Sequence, residues 1–311
     1  MKIIAISGGS RNGTNDAMAR EALMGAKEEG AEIEFVNLYD LELKPCTGCI
    51  ACVGSLMSGG SGDCILKDDY LWLVDKIRGA DGVIFVMPVF EKGAPAIFKI
   101  LQDRMFGPSN DTGTNTVAKM IAGKMGKPGP DPRKFAKKAV SLIGIGGSDW
   151  NTRFSCDMNL AMMVPMWTVI DDLVFSWSKC LILDDAGVQK CRDVGTNIAK
   201  AAADIENAKY LGDPGVCTNC HSRNFFLHAD GQAECEVCGV KGKLSNEGGF
   251  VFSFEPEQLE HAHNLLPGKM KHMQDIGEME TRFAEEKKSD EFKARQEKYK
   301  AFLEPTKPVR A

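Results

Sequence analysis

Five short runs of apolar, largely branched residues punctuate the first two-thirds of the chain. KIIAIS (2–7), EIEFVNL (32–38), GVIFVMPV (82–89), KAVSLIGIGG (138–147) and MWTVIDDLVFSW (166–177) have the length and composition of strands. GVIFVMPV is apolar almost throughout, as a strand buried on both faces must be, whereas EIEFVNL alternates. Between the runs, apolar positions recur three and four residues apart. AMAREALMGAKEEG, YLWLVDKIRGA, APAIFKILQDRMF and the stretches at about 152–163 and 187–209 therefore predict helices with one buried stripe. Pro95 is compatible with a first helical turn.

Strands that alternate with helices predict an α/β fold: a doubly wound, five-stranded parallel sheet covered on both faces, over residues 1–210. Right-handed crossovers leave a crevice at the carboxyl ends of the strands. SGGSRNGTND, the cysteine-rich loop of residues 44–64, PVFEKG and GGSDWN follow the first four strands, so all four loops meet at that end. Residues 107–134, rich in Gly, Pro, Asn and Lys, read as an insertion that is helical around TVAKMIAGKM.

Past residue 212 the pattern changes. Residues 213–250 hold two Cys-x-x-Cys pairs, and residues 255–303 form a charged, mostly helical tail. The tail's charges suit a solvated helix face. The chain has 11 cysteines and begins MKIIAIS, directly on a strand. Without a secretion signal, such cysteines predict reduced, metal-binding or redox-active thiols in a cytoplasmic protein. A net charge of −5 gives no reason to expect nucleic acid as a partner. No apolar run approaches the ~20 residues of a bilayer span.

The chemistry concentrates in three places. The loop Gly8-Gly9-Ser10-Arg11-Asn12-Gly13-Thr14-Asn15 leads into a helix N-terminus. Free amides and the helix dipole suit a phosphate there, although a plain glycine-rich turn capped by Thr14 or Asn15 is the alternative. Cys46, Cys49 and Cys52 are spaced for a compact turn of thiolates, and Cys64 follows after the flexible segment GSLMSGGSGD. Four converging thiolates suit a [4Fe–4S] cluster. Cys217, Cys220, Cys235 and Cys238 form C-x2-C-x14-C-x2-C, which suits a tetrahedral Zn²⁺ in a small ribbon, with rubredoxin-like iron as the alternative. His221 and His228 lie nearby, but four thiolates fill the shell. Cys156, Cys180 and Cys191 are isolated and read as small core residues, and His261, His263 and His272 as solvent-facing.

Four stretches, SGGSR with GTN, PCTGCIACV with CILKDD, ADGVIFVMPVFEKGAPAIFKILQDR, and IGIGGS, carry a resemblance over about residues 1–185. The chain resembles the NAD(P)H-dependent FMN reductase family of the flavodoxin-like fold, and within it the iron–sulfur flavoproteins. The resemblance implies that the first loop, with Ser10, Arg11, Asn12, Thr14 and Asn15, holds the FMN phosphate. It implies that Pro88, Val89, Phe90, Glu91 and Gly93 lie along the isoalloxazine, and that Gly146, Gly147 and Ser148 approach the ring. Asp16 stands where the family commonly has Thr or Ser, and a carboxylate there would repel a phosphate. Asp103 and Arg104 match a family Asp-Arg pair and read as structural; Trp150 suits either flavin stacking or packing.

The expectation is an FMN-dependent oxidoreductase with a [4Fe–4S] cluster and a zinc ribbon. It would move electrons between NAD(P)H or a reduced carrier protein and a small-molecule acceptor, which the sequence leaves open among quinones, oxygen species and unsaturated or aromatic compounds. The resemblance implies a homodimer or homotetramer. A cluster-free FMN or quinone reductase, and a non-enzymatic electron-carrier or redox-sensing module, are the alternatives.

Overall fold

A computed structural model describes residues 1–246 and 248–303. Five strands, β1 (Lys2–Ser7), β2 (Glu32–Asn37), β3 (Gly82–Pro88), β4 (Ala139–Ile145) and β5 (Thr168–Phe175), form one parallel sheet in the order β2-β1-β3-β4-β5. This is the flavodoxin-like order, and its topological switch falls between β1 and β3. Alternate side chains of each strand feed two cores. Ile4, Ile6, Phe85 and Met87 face one layer with Leu73, Phe98 and Phe154. Ile3, Ala5, Ile84 and Val86 face the other with Met18, Leu23, Val194 and Ile198. Period-two alternation in buried strands produces this partition directly.

The covering helices are α1 (Thr14–Glu28), α3 (Tyr70–Arg78), α4 (Ala96–Met105), α6 (Phe154–Met163) and α7 (Asp185–Ala203). Two further helices sit in segments that look irregular in sequence. The cysteine loop contains α2 (Ala51–Met57), so the segment after Cys52 starts as helix instead of looping out. The insertion contains α5 (Thr112–Met125), which starts earlier than expected because Asp111 caps it, its carboxylate accepting from the Thr114 amide at 2.8 Å.

The insertion braces the cysteine loop. Lys127 Nζ donates to the Ser58 carbonyl at 2.7 Å, Gly129 N to the Gly59 carbonyl at 3.2 Å, and Lys134 Nζ to the Ser61 and Ser109 carbonyls at 2.7 Å each. Burial pushes the Lys134 ammonium down to about 8.

Strands β6 (Phe225–Leu227), β7 (Ala233–Cys235), β8 (Lys241–Asn246) and β9 (Phe250–Ser253) form an antiparallel sheet carrying the second cysteine set. Its small core includes Val237, Val240 and Phe252, and Cys156 of α6 completes it. The ribbon is also tied to α6 through Asn224 Nδ2, which donates to the Thr152 carbonyl at 3.2 Å. Residues Met1–Lys269 accordingly make one compact unit, and the ribbon is part of it; a second unit begins at Met270. Helices α8 (Leu266–Glu286) and α9 (Asp290–Leu303) form the tail. Among the described residues no helix is long and apolar enough to cross a membrane.

Two minor expectations are corrected. Cys180 is exposed, because it sits in the turn after β5 and not on a packed face. His263 is half-buried, its amide donating to the Cys238 carbonyl at 2.9 Å.

Candidate functional site

The loops after β1, β3, β4 and β5 are hydrogen-bonded into one rim. Gly8 N donates to the Val86 carbonyl at 3.0 Å, and Val89 N to the Ile145 carbonyl at 3.0 Å. Gly146 N donates to the Phe175 carbonyl at 2.8 Å, and Ser178 N to the Gly146 carbonyl at 2.9 Å. Thr14 Oγ1 donates to the Lys179 carbonyl at 2.8 Å, closing the rim back on α1. Backbone strain gathers here. Asn12, Ile50, Glu91, Lys92 and Trp177 all have positive φ, in loops that follow the strand tips.

The first loop has the form of an anion cradle. Gly13 is the N-cap of α1 and provides no side-chain cap, so the first-turn amides stay open to a ligand. Asn15 is buried, and its Nδ2 has no hydrogen-bond partner. A Cβ on Gly9 would lie 2.5 Å from Asn15 Cβ, and one on Gly8 would lie 2.3 Å from Met87 Sδ. Only glycines let the backbone come this close.

Asp16 does not face the cradle. Its carboxylate accepts from Ser7 Oγ at 2.6 Å, Asn37 Nδ2 at 2.8 Å and the Asn12 amide at 2.7 Å. It is an internal brace: Ser7 and Asn37 are buried donors, and the Asn12 amide ties the brace to the first loop. Arg11 is held by Asp40 and the Tyr39 carbonyl, and Ser10 is exposed.

Pro88, Val89, Phe90, Glu91 and Gly93 lie on the neighbouring loop. Phe90 and Gly93 exchange backbone hydrogen bonds at 3.0 and 2.9 Å, with Glu91 and Lys92 at φ 45° and 71° between them. Two consecutive positive φ values make a type I′ turn, normally the province of Asn-Gly. The amides of Glu91, Lys92, Gly147 and Ser148 make no hydrogen bond to another backbone group among the described residues. Trp150, expected to stack or pack, is exposed, and Lys92 Nζ sits 4.4 Å from its ring centroid.

In the cysteine loop every sulfur has a donor. Gly48 N reaches Cys46 Sγ at 3.5 Å, and Arg104 Nη2 reaches Cys64 Sγ at 3.3 Å. The Ala51 amide and the Thr47 hydroxyl draw the Cys49 thiol below its ordinary value, while burial pushes Cys52 up against weaker help from the Val53 amide. Cys46 and Cys49 are exposed and Cys52 and Cys64 half-buried, and among the described residues no three of these sulfurs lie within 4.8 Å of one another. Donors of this kind suit thiolate ligands of an iron–sulfur cluster, whose cube holds them farther apart than a single ion does.

Arg104 organises the loop. Its guanidinium is bidentate on Asp68, with Nη2 to Oδ1 at 3.0 Å, and its side chain and that of Asp68 are 1% and 0% exposed. It also donates to the Lys44 carbonyl at 3.0 Å and lies 4.0 Å over the Tyr70 ring. Asp103 pairs with Lys99 instead. Sequence reasoning missed the Arg104–Asp68–Cys64 link, because its members are 36 and 40 residues apart.

Cys217, Cys220, Cys235 and Cys238 present sulfurs that all lie within 4.8 Å of one another. Cys217 and Cys238 are 3.7 Å apart, and Cys220 and Cys235 are 3.5 Å apart. Tetrahedral bonds of about 2.3 Å require about 3.8 Å between sulfurs, so the set fits one ion. His221 stacks on Tyr210 and His228 bonds Glu234, which leaves the shell to the thiolates. A cavity of about 700 Å³ is lined by residues of α6, β5 and the ribbon, among them Asn151 beside the Gly146–Trp150 loop.

Comparison with known proteins agrees with this geometry. The model of a family described as NADPH-dependent FMN reductase matches residues 1–180. A solved structure described as flavone reductase is 45% identical, with a TM-score of 0.90 over 99% of this chain and 100% of that one. Flavone synthase cfoJ of Aspergillus candidus is 27% identical over 296 residues, 89% of this chain and 88% of that protein. An iron–sulfur flavoprotein of Methanocaldococcus jannaschii is 42% identical over 105 residues, which are 33% of this chain and 51% of that protein.

Proposed function

Because the chain belongs to the NADPH-dependent FMN reductase family, we propose that it is an FMN-dependent oxidoreductase whose acceptor is a planar, conjugated aromatic of the flavone class, with NAD(P)H as electron donor. The observation that carries the acceptor class is the likeness to a flavone reductase along nearly the whole chain, ribbon included. A second relative, similar over most of both chains, is also named for flavones.

When bound, FMN would supply two-electron hydride transfer, and a [4Fe–4S] cluster would supply single electrons. The protein's part is placement. The first-turn amides of α1, with Asn12, Thr14 and Asn15, would hold the phosphate, and the buried Asn15 amide has a donor to spare. Arg11, held at Asp40, would act on the phosphate only by its charge at a distance. Pro88, Val89, Phe90, Glu91 and Gly93 would line one edge of the ring, and Gly146, Gly147 and Ser148 another. The outward amides of both loops would favour negative charge at the ring. Cys46, Cys49, Cys52 and Cys64 would hold the cluster, and Cys217, Cys220, Cys235 and Cys238 a structural zinc.

Anaerobic purification followed by absorption spectroscopy and metal analysis tests the cofactor set. The expected result is about one FMN, about four iron and about one zinc per chain. Full flavin with no iron after anaerobic reconstitution would remove the cluster from the proposal and leave the flavin enzyme. A chain that takes up no flavin would remove the enzyme as well.

A further inference from the structure

We infer that Trp150, Trp177 and Lys92 form the recognition site for the acceptor: two indole faces that stack on a planar aromatic, and an ammonium that meets its carbonyl or phenolate oxygen. This rests on the flavin-dependent function proposed above and adds what selects the molecule that is bound.

Exposure is the first observation. Trp150 is 61% exposed and Trp177 72%, and Phe90, on the loop after β3, is 58% exposed. Large aromatics left open on one rim mark a binding surface, because burying them elsewhere would have been favourable. The rim is the one formed by the loops after β3, β4 and β5. Ser178 N donates to the Gly146 carbonyl at 2.9 Å, and Asn151 Nδ2 donates to Ser176 Oγ at 2.7 Å. The neighbours of Trp177 on both sides are thus clasped to the loop that carries Trp150.

Strain is the second. Trp177 has φ 57°, a conformation that a bulky side chain adopts only when its surroundings enforce it. Lys92 has φ 71° in a type I′ turn, and its carbonyl accepts from the Arg153 amide at 3.0 Å, which fixes the turn against the start of α6.

Charge is the third. Lys92 Nζ lies 4.4 Å from the Trp150 ring centroid and forms no salt bridge among the described residues. The indole holds the ammonium in place without neutralising it, since ring attraction leaves the charge intact. A keto or phenolate oxygen on a molecule stacked at Trp150 is the complementary partner. A second copy of this chain is the competing occupant for such a surface.

The test uses the FMN-loaded full chain, with 7-hydroxyflavone as the planar probe and cyclohex-2-enone as a non-aromatic enone. Equilibrium dialysis against 7-hydroxyflavone reads binding without turnover. Trp150→Ala and Trp177→Ala are each expected to weaken it about tenfold. Lys92→Gln is expected to weaken it several-fold and Lys92→Arg to restore it. In turnover, the rise in KM should fall on 7-hydroxyflavone about tenfold more than on cyclohex-2-enone. Unchanged dissociation constants, equal losses for both probes, or dissociation of an oligomer in the tryptophan variants would each overturn the inference while leaving the proposed function standing. A parent protein that neither binds nor reduces 7-hydroxyflavone, although NAD(P)H bleaches its flavin, would overturn the flavone assignment and this inference together.

Discussion

Replacing Cys217 and Cys238 together with serine is expected to unfold the ribbon and strip its metal. Both residues are buried, and the other fully buried side chains of the ribbon core are few, chiefly Ala233, Val237, Val240 and Phe252, with Phe225, Leu244 and Phe254 only partly buried. A core of that size does not stabilise a four-stranded sheet by itself. Structural zinc contributes on the order of 10–16 kcal/mol of apparent binding free energy near neutral pH, which in such a site is folding free energy. Hydrogen exchange should therefore show protection lost across 213–263, with one metal ion lost per chain. The loss should extend to the start of α6, since Asn224 holds the Thr152 carbonyl and Cys156 packs into the ribbon core. Flavin retention should fall with it, because α6 follows directly on the Gly146–Trp150 loop. Full protection in the metal-free variant would show that the thiols are dispensable to the ribbon.

The second large effect is expected at Asp68. Asp68→Ala leaves the Arg104 guanidinium buried without its carboxylate, and removing one member of a buried pair costs about 3–5 kcal/mol. Both ends of the cysteine loop depend on this pair. The Lys44 amide donates to Asp68 Oδ2 at 2.8 Å, and Arg104 holds Cys64. Urea denaturation should show the loss of stability, and iron analysis should show the cluster released. The double variant Asp68→Leu with Arg104→Met should recover much of the stability, because it removes both charges, but not the iron. Recovery of iron as well would mean that Arg104 has no part in holding Cys64.

The same pair has a pH signature. Burial raises the Asp68 carboxyl, but the Arg104 guanidinium and the Lys44 amide outweigh it, so the net shift is downward. A depressed carboxyl pKa adds stability that is fully present above the unfolded value of about 3.9 and is lost as pH falls through the folded value. Acid unfolding of the parent should therefore be steeper below about pH 4 than that of the double variant.

How far the sequence foretold this structure depended on whether the cause was local. The strands were readable because GVIFVMPV and KAVSLIGIGG are too apolar and too branched for anything but the inside of a sheet. The ribbon was readable because two knuckles at fixed spacing leave little choice of geometry. Helix α2 was not readable. Seven residues containing Gly54 make under two turns, and the helix starts from Ile50 in a left-handed conformation with no side-chain cap. At Asp16 the residue type does not tell where the carboxylate points: a negative charge near a phosphate loop is unfavourable in sequence, and only the fold shows it accepting from Ser7, Asn37 and the Asn12 amide. The brace from Lys127 and Lys134 onto residues 58–61 and the Arg104 link to Cys64 are tertiary contacts between distant segments. No periodicity or motif encodes them.

A single-turnover experiment tests the central claim most directly. The FMN-loaded protein is reduced anaerobically with one equivalent of NAD(P)H and then mixed with 7-hydroxyflavone, while flavin absorbance is followed. The account predicts that the flavin band returns as the flavone is consumed in equal amount. A flavin that stays bleached in the presence of saturating flavone, yet reoxidises at once in air, would contradict it.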